Sequence, residues 1–251
     1  PDTVEGTPMR IALLSDVHGN LPAFEAVLAD VDACGPDEIW CLGDLVGYGA
    51  EPDACVALAS KRCDLCLAGN HDLVVTGTLD ISEFSQNAAT AALWTRENIG
   101  SEALTFLRGL KPLEEGRELG LWHASPRDPV WEYVLSYSQA EECMDAMEPR
   151  IGVVGHSHLA LWFQRDGEGE PDGRLAEAGL EHDLTRGEWL LNPGGVGQPR
   201  DGDERAAWLL LDTEGWSAEW RRVEYPIDAA ASAILKAGLP EDLAKRLYKG
   251  L

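Results

Sequence analysis

The sequence predicts a mixed α/β fold, on three observations. The first third of its 251 residues alternates short apolar runs with amphipathic stretches at a βαβ rhythm. Several of these runs end in polar motifs built from Asp, Asn and His. Beyond about residue 160 the pattern changes to strand pairs around short polar turns, the mark of antiparallel hairpins.

RIALLS is a short apolar run that ends in Asp16-Val17-His18-Gly19-Asn20. LPAFEAVLADV follows with helical spacing and stops at Gly35-Pro36. EIWCLGD reads as a second buried strand, EPDACVALAS as a helix and CDLCLAGNHD as a third strand. Such alternation implies a mainly parallel sheet with helices packed on it. Residues 85–110 read as helix, interrupted near Gly100. ELGLWHASP is a further strand, QAEECMDAM a helix ended by Pro149, and IGVVGHSH a strand again. LALWFQ and RLAEAG flank a polar turn, as do AAWLLLD and WSAEWRRVEY, and both pairs read as hairpins. From Asp228 to Leu251 the pattern gives two short helices separated at Gly238-Leu239-Pro240. Residues 1–8, polar with two prolines and a glycine, read as a flexible extension, and residues 9–251 as one domain.

Composition narrows the function. An apolar share of 45% supports a real core. A net charge of -24 disfavours a nucleic-acid duplex as partner, because a polyanion is repelled. It leaves a small phosphorylated substrate open, since bound cations invert the local field. No apolar run is long enough to cross a bilayer, and the start has no basic-then-apolar signal layout. With six cysteines and no export signal, the expected location is the cytoplasm, with free thiols. Cys63 and Cys66 form a CxxC, but on a strand they face opposite sides, so they read as small core residues.

Five of the six histidines lie in or directly after strand-like runs, as do Asp16, Asp44 and Asn70. Ligands of open α/β sheets bind at the carboxyl ends of strands, so these loops should converge. Each motif alone is weak, and a lone histidine after a strand is more often just a hydrogen-bonded residue. The ordered series S-D-V-H-G-N, L-G-D, G-N-H-D, W-H and G-H-S-H is far more specific.

That series resembles the calcineurin-like metallophosphoesterase superfamily, in particular its small bacterial phosphodiesterase branch, from about Met9 to about Arg200. The resemblance implies a four-layer αββα sandwich of two mixed β-sheets flanked by helices. It implies two divalent ions, one held by Asp16, His18, Asp44 and His158, the other by Asp44, Asn70, His123 and His156, with Asp44 bridging. His71 is then the catalytic histidine, which protonates or hydrogen-bonds the leaving group. In such a centre, ions about 3.5–4 Å apart hold a hydroxide that attacks phosphorus in line with the leaving oxygen. Imidazole and oxygen donors suit Mn, Fe, Zn, Co or Ni alike.

The second motif departs from that of the phosphoprotein phosphatases, which reads G-D-x-x-D-R-G. Here it reads Gly43-Asp44-Leu45-Val46-Gly47-Tyr48-Gly49, without the Asp that orients the catalytic histidine or the Arg that grips phosphate. A protein serine/threonine phosphatase is thereby disfavoured, and the orienting partner of His71 is left unassigned. Arg127 and Arg200, in loops after predicted strands, are the substitute phosphate clamps, or else solvated charges beside Asp128 and Asp201. Trp131 and Tyr133 read as loop anchors, with a pocket wall as the alternative. Asn20 reads as a residue supporting the site, Asn192 as a turn residue and His182 as surface. The expected activity is phosphodiester hydrolysis. A diadenosine polyphosphate hydrolase or a phosphomonoesterase is the enzymatic alternative, and a non-catalytic scaffold the non-enzymatic one.

Overall fold

The structure, a computed structural model, describes residues 8–115, 119–167 and 169–251. The extension read over residues 1–8 therefore lies, save Pro8, outside the described residues. The chain runs β1 (Arg10–Leu14), α1 (Leu21–Cys34), β2 (Glu38–Cys41), α2 (Pro52–Arg62) and β3 (Leu65–Cys66). Three helices follow, α3 (Asn70–Val75), α4 (Gln86–Asn98) and α5 (Ser101–Arg108). Next come β4 (Leu113–Glu115), β5 (Leu119–Trp122), α6 (Tyr137–Ala146), β6 (Ile151–Val154), β7 (Ala160–Arg165), β8 (Asp172–Leu175) and β9 (Glu181–Asp183). The last elements are β10 (Glu188–Pro193), β11 (Ala206–Asp212), β12 (Ser217–Val223), α7 (Ile227–Lys236) and α8 (Glu241–Leu247).

Two six-stranded mixed sheets result, ordered β3-β2-β1-β11-β12-β9 and β4-β5-β6-β10-β7-β8. β1, β2 and β3 are parallel, as are β5, β6 and β10, while β11 and β7 close each parallel half antiparallel. Period-2 alternation builds the layers. Along β1, Ile11 and Leu13 join a core between the sheets with Leu121, Val153, Leu191 and Trp220. Ala12 and Leu14 face the opposite way, into a core shared with α1, α2, α4, α7 and α8. α6 covers the outer face of the second sheet through Ala140, Cys143 and Met144, packed on Phe163 and Leu190. The four-layer αββα sandwich is what the sequence predicts.

Three local expectations change. The run CDLCLAGNHD is mostly not strand: β3 has two residues, and Asn70 opens α3. The Asp72 carboxylate accepts from the Gly69 amide at 3.0 Å, which starts the helix inside the motif. Cys63 caps α2 and only Cys66 lies in β3, so the two do not share a strand, and both pack half-buried against the helix-covered core. His182 is half-buried and not fully at the surface. Edge strand β9 tucks its ring against Trp162 and Trp220, at 5.1 and 5.3 Å between centroids.

Candidate metal centre

Six parallel strands end at one side of the molecule, and the polar motifs follow them there. Asp16 and His18 follow β1, Asp44 follows β2, and Asn70 and His71 follow β3. His123 follows β5, His156 and His158 follow β6, and Arg200 lies beyond β10. All of the first eight are buried, none more than 4% exposed.

The loops reach this arrangement through unusual backbone. Asp16, His18, Asp44, Tyr48, His156 and His158 have φ values between 50° and 62°, in the left-handed region. Each such non-glycine residue costs of order 1–3 kcal/mol, and hydrogen bonds between loops hold it there. The Asp16 amide donates to Gly43 O at 3.0 Å, His18 N to Asp44 O at 2.8 Å, and Gly197 N to Asp16 O at 2.8 Å. Asn20 caps α1 and donates to Gly197 O at 2.8 Å, while Asn192 donates to Gly155 O at 2.8 Å and to Ser157 Oγ at 3.0 Å. Both asparagines therefore fasten the loops that carry the cluster.

The histidine tautomers follow from their outer bonds. Nδ1 of His18, His123 and His158 faces a backbone carbonyl, of Val46 at 3.1 Å, Leu42 at 2.9 Å and Gln198 at 2.6 Å. Carbonyls only accept, so each Nδ1 carries the proton and each Nε2 turns a lone pair inward. Yet Nε2 of His18 and Nε2 of His158 lie 3.1 Å apart. Two lone pairs at that distance repel unless a cation lies within reach of both. Nε2 of His156 and Oδ1 of Asp16 are likewise buried without a hydrogen-bond partner.

Charge leads to the same conclusion. Burial pushes Asp16 up to about 7 and Asp72 up to about 6. Asp44 rises well above the usual carboxylate range, through burial and then the nearby charges of Asp72 and Asp16. Burial holds His18, His71, His156 and His158 well below their ordinary values, and His123 at about 4. Neutral imidazoles beside crowded carboxylates are a ready-made cation site. Three groups of donor atoms are close enough to hold an ion: Asp16, His18 and His158; His18, Asp44 and His71; Asp44, His123 and His156. The Asp44 carboxylate joins them, with Oδ2 3.5 Å from His18 Nε2 and 3.6 Å from His123 Nε2. Asn70 Oδ1 lies 3.2 Å from His123 Nε2, on the second side.

His71 sits apart in its surroundings. Its amide donates to Asp44 Oδ1 at 2.8 Å, but its Nδ1 is buried and unpartnered. Asp72 does not orient it, because that carboxylate accepts from the amides of Leu45, Val46 and Gly69. Packing does so instead. Rings of Tyr48 and Phe84 lie 4.4 Å from the imidazole, and a Cβ on Gly47 would come within 2.3 Å of Nδ1. Gly47, at φ 93°, leaves the space that His71 fills.

A cavity of about 230 Å³ opens over the cluster, lined by Asp44, Asn70, His71, His156 and His158 at one end. Arg200 lines it too, with its guanidinium 5.7 Å from the Tyr48 ring and its buried Nε unpartnered. Arg127 lies elsewhere, ion-paired with Glu132 at 3.5 Å and with Glu142. Sequence reasoning passed over Tyr48 and Phe84, both in the lining, and Arg246. The nearby Arg200 charge, after burial, lowers the Arg246 pKa, which places a second cation in the same region. No periodicity or motif marks Phe84 or Arg246. Tyr48 alone had a signal, since it stands where phosphoprotein phosphatases carry a phosphate-gripping Arg.

A two-sheet αββα sandwich with an imidazole–carboxylate cluster at its strand ends is the architecture of metal-dependent phosphoester hydrolases. The calcineurin-like phosphoesterase superfamily domain matches residues 9–215, and the chain belongs to that superfamily. An uncharacterized protein of Methanocaldococcus jannaschii is 38% identical over 245 residues, 96% of this chain and 98% of that protein. The crystal structure of a metallophosphoesterase from Sphaerobacter thermophilus shares 36% identity at a TM-score of 0.87, covering 98% of this chain and 100% of that one. More distant is a symmetrical bis(5'-nucleosyl)-tetraphosphatase of Actinobacillus pleuropneumoniae, 26% identical over 175 residues, which are 67% of this chain and 62% of that enzyme.

Proposed function

We propose that the protein is a dinuclear, metal-dependent phosphodiesterase that hydrolyses small phosphate esters. The observation that carries this reading is Asp44, whose Oδ2 lies about equally far from Nε2 of His18 and of His123. One ion would be held by Asp16, His18, Asp44 and His158, the other by Asp44, Asn70, His123 and His156. Bound there, divalent ions supply an activated water and offset the charge that builds up on the phosphoryl oxygens. His71 presents its imidazole to the leaving oxygen. Arg200 reaches a non-bridging oxygen. Six free cysteines support a reducing, cytoplasmic setting, and no described helix is long and apolar enough to cross a membrane. A non-catalytic scaffold is disfavoured, because every candidate ligand position keeps a donor side chain.

The experiment is metal removal. Chelation should abolish hydrolysis of an aryl phosphodiester, and Mn or a similar ion should restore it. Full turnover by protein whose metal content has been shown to be nil would refute the reading.

Preference among esters turns on Arg200. A monoester dianion needs more positive donors than a diester, and Arg200 is the arginine that lines the cavity. The diester should therefore be the better substrate in kcat/KM. Arg200→Ala should penalise a monoester more than the matching diester. Arg127→Ala should leave the diester-to-monoester ratio unmoved, since its guanidinium is engaged by Glu132 and Glu142. A wild-type preference for the monoester would overturn the diesterase assignment. The likeness to the bis(5'-nucleosyl)-tetraphosphatase supports a second reading, hydrolysis of dinucleotide polyphosphates. A panel of diesters, monoesters, dinucleotides and cyclic nucleotides separates the two.

A further inference from the structure

The cavity has two chemically different ends. On the His71 side it is walled by Phe84 and, against Phe84, Trp131, with Glu83 and Ser85 the chain neighbours of Phe84, while Tyr133 lines it on the His156 side. Phe84 lies 4.4 Å from the His71 ring, and Trp131 meets Phe84 edge-on at 5.7 Å. Tyr133 stacks on His156 at 4.0 Å, with 25° between the rings.

Polar bonds fix much of the loop that carries Trp131 and Tyr133. Asp128 Oδ1 accepts from the amides of Val130 at 3.0 Å and Trp131 at 3.1 Å, and Ser125 Oγ donates to Glu132 at 2.5 Å. Val134, 3% exposed, adds an apolar anchor, and Trp131 packs on the helix-covered core, whereas Tyr133 is 41% exposed. Trp131 thus lines the cavity while being held in place by its loop and by the core.

We propose that Phe84 and Trp131 form a leaving-group subsite for a planar, uncharged aromatic ring carried by the departing oxygen of the ester. This rests on the reading above, in which His71 serves the leaving oxygen. The departing group must then lie on the His71 side of phosphorus, and there the adjoining wall is Phe84. Glu83 makes that end unfavourable for a further phosphate, whereas Arg200 supplies a positive charge to the cavity. A flat ring between aromatic walls gains stacking contacts that an alkyl group of similar size does not. The ring can belong to a nucleobase or to a simple aryl alcohol.

The test compares an aryl phosphodiester with one whose leaving group is a small fluorinated alcohol, both with metal-loaded protein. Trp131→Ala should lower the aryl-to-alkyl ratio of kcat/KM by roughly 5- to 150-fold, the range that aromatic stacking spans. Trp131→Phe should restore most of it. Calorimetry on metal-free protein gives a second reading: adenosine or 4-nitrophenol should bind wild type and bind Trp131→Ala several-fold more weakly. Tighter binding of adenosine identifies a nucleobase, and tighter binding of the phenol a simple aryl group. An unchanged ratio in Trp131→Ala, or equal loss on the two esters with neither product bound by wild type, overturns the subsite. Failure of the phosphoesterase reading looks different, because metal-loaded wild type would then hydrolyse neither ester.

Discussion

His71→Ala is expected to keep its full complement of metal while turnover falls by roughly 10²–10⁴-fold, the range typical of general acid–base catalysis. The geometry sets up the alternative cleanly, since His71 is also close enough to His18 and Asp44 to serve as a ligand. A ligand would be missed by the ion; a leaving-group residue would not. Its surroundings favour the second role. Each of His18, His123 and His158 has Nδ1 fixed by a carbonyl, as ligands generally do, whereas Nδ1 of His71 has no partner. The imidazole is held by Tyr48, Phe84 and the space over Gly47. Gly47→Ala should thus reproduce part of the defect, because a methyl group there displaces the ring without removing it. Elemental analysis and turnover on esters of graded leaving-group acidity make the measurement. The loss should shrink as the leaving group becomes more acidic and needs less help. Metal lost from His71→Ala, or a defect indifferent to the leaving group, would reassign the residue.

What the sequence could reveal was the part of the site carried by residue type and position along strands. Asp16, His18, Asp44, His123, His156 and His158 are legible because their chemistry is distinctive and each closes a parallel strand. Asn70 and His71 are legible for chemistry but not for setting, since their motif opens α3 instead of closing a strand. The left-handed backbone at Asp16, His18 and Asp44 leaves only a faint trace in residue choice, because Asp and His enter that region more often than most side chains yet rarely. Those conformations are imposed by bonds to Gly43, Asp44 and Gly197, distant in sequence. The same holds for the cavity walls. Phe84 reaches the cavity from the segment just before α4, and a lone aromatic outside a motif has no periodic signature. The fold was legible in its parallel and hairpin halves. Edge strands β4 and β9, three residues each, are too short to show alternation.

Asp44→Asn is expected to strip more metal than His18→Ala, and to abolish turnover with it. The two oxygens of Asp44 have separate duties. Oδ1 accepts from the His71 amide at 2.8 Å and is crowded by Gly69, where even a Cβ would come within 1.9 Å. Oδ2 faces His18 and His123. In the asparagine variant the carbonyl must take the Oδ1 place, because an NH₂ there would oppose the His71 N–H. The NH₂ group then points at the two imidazoles, and it has no lone pair with which to bind a cation. Both proposed ions lose a ligand at once, whereas His18→Ala removes one donor from one of them. Without metal the same change should be stabilising. It removes a buried carboxylate crowded by Asp16 and Asp72, and its NH₂ can donate to the inward lone pairs of His18 and His123. Metal-free Asp44→Asn should therefore melt no lower than metal-free wild type. Added metal should raise the wild-type melting point, by linkage worth about 2.7 kcal/mol at a hundredfold excess over Kd, and leave the variant nearly unmoved. Metal content per chain, read beside melting curves with and without ion, tests both halves of the argument. Equal metal in Asp44→Asn and wild type would show that this carboxylate does not bridge.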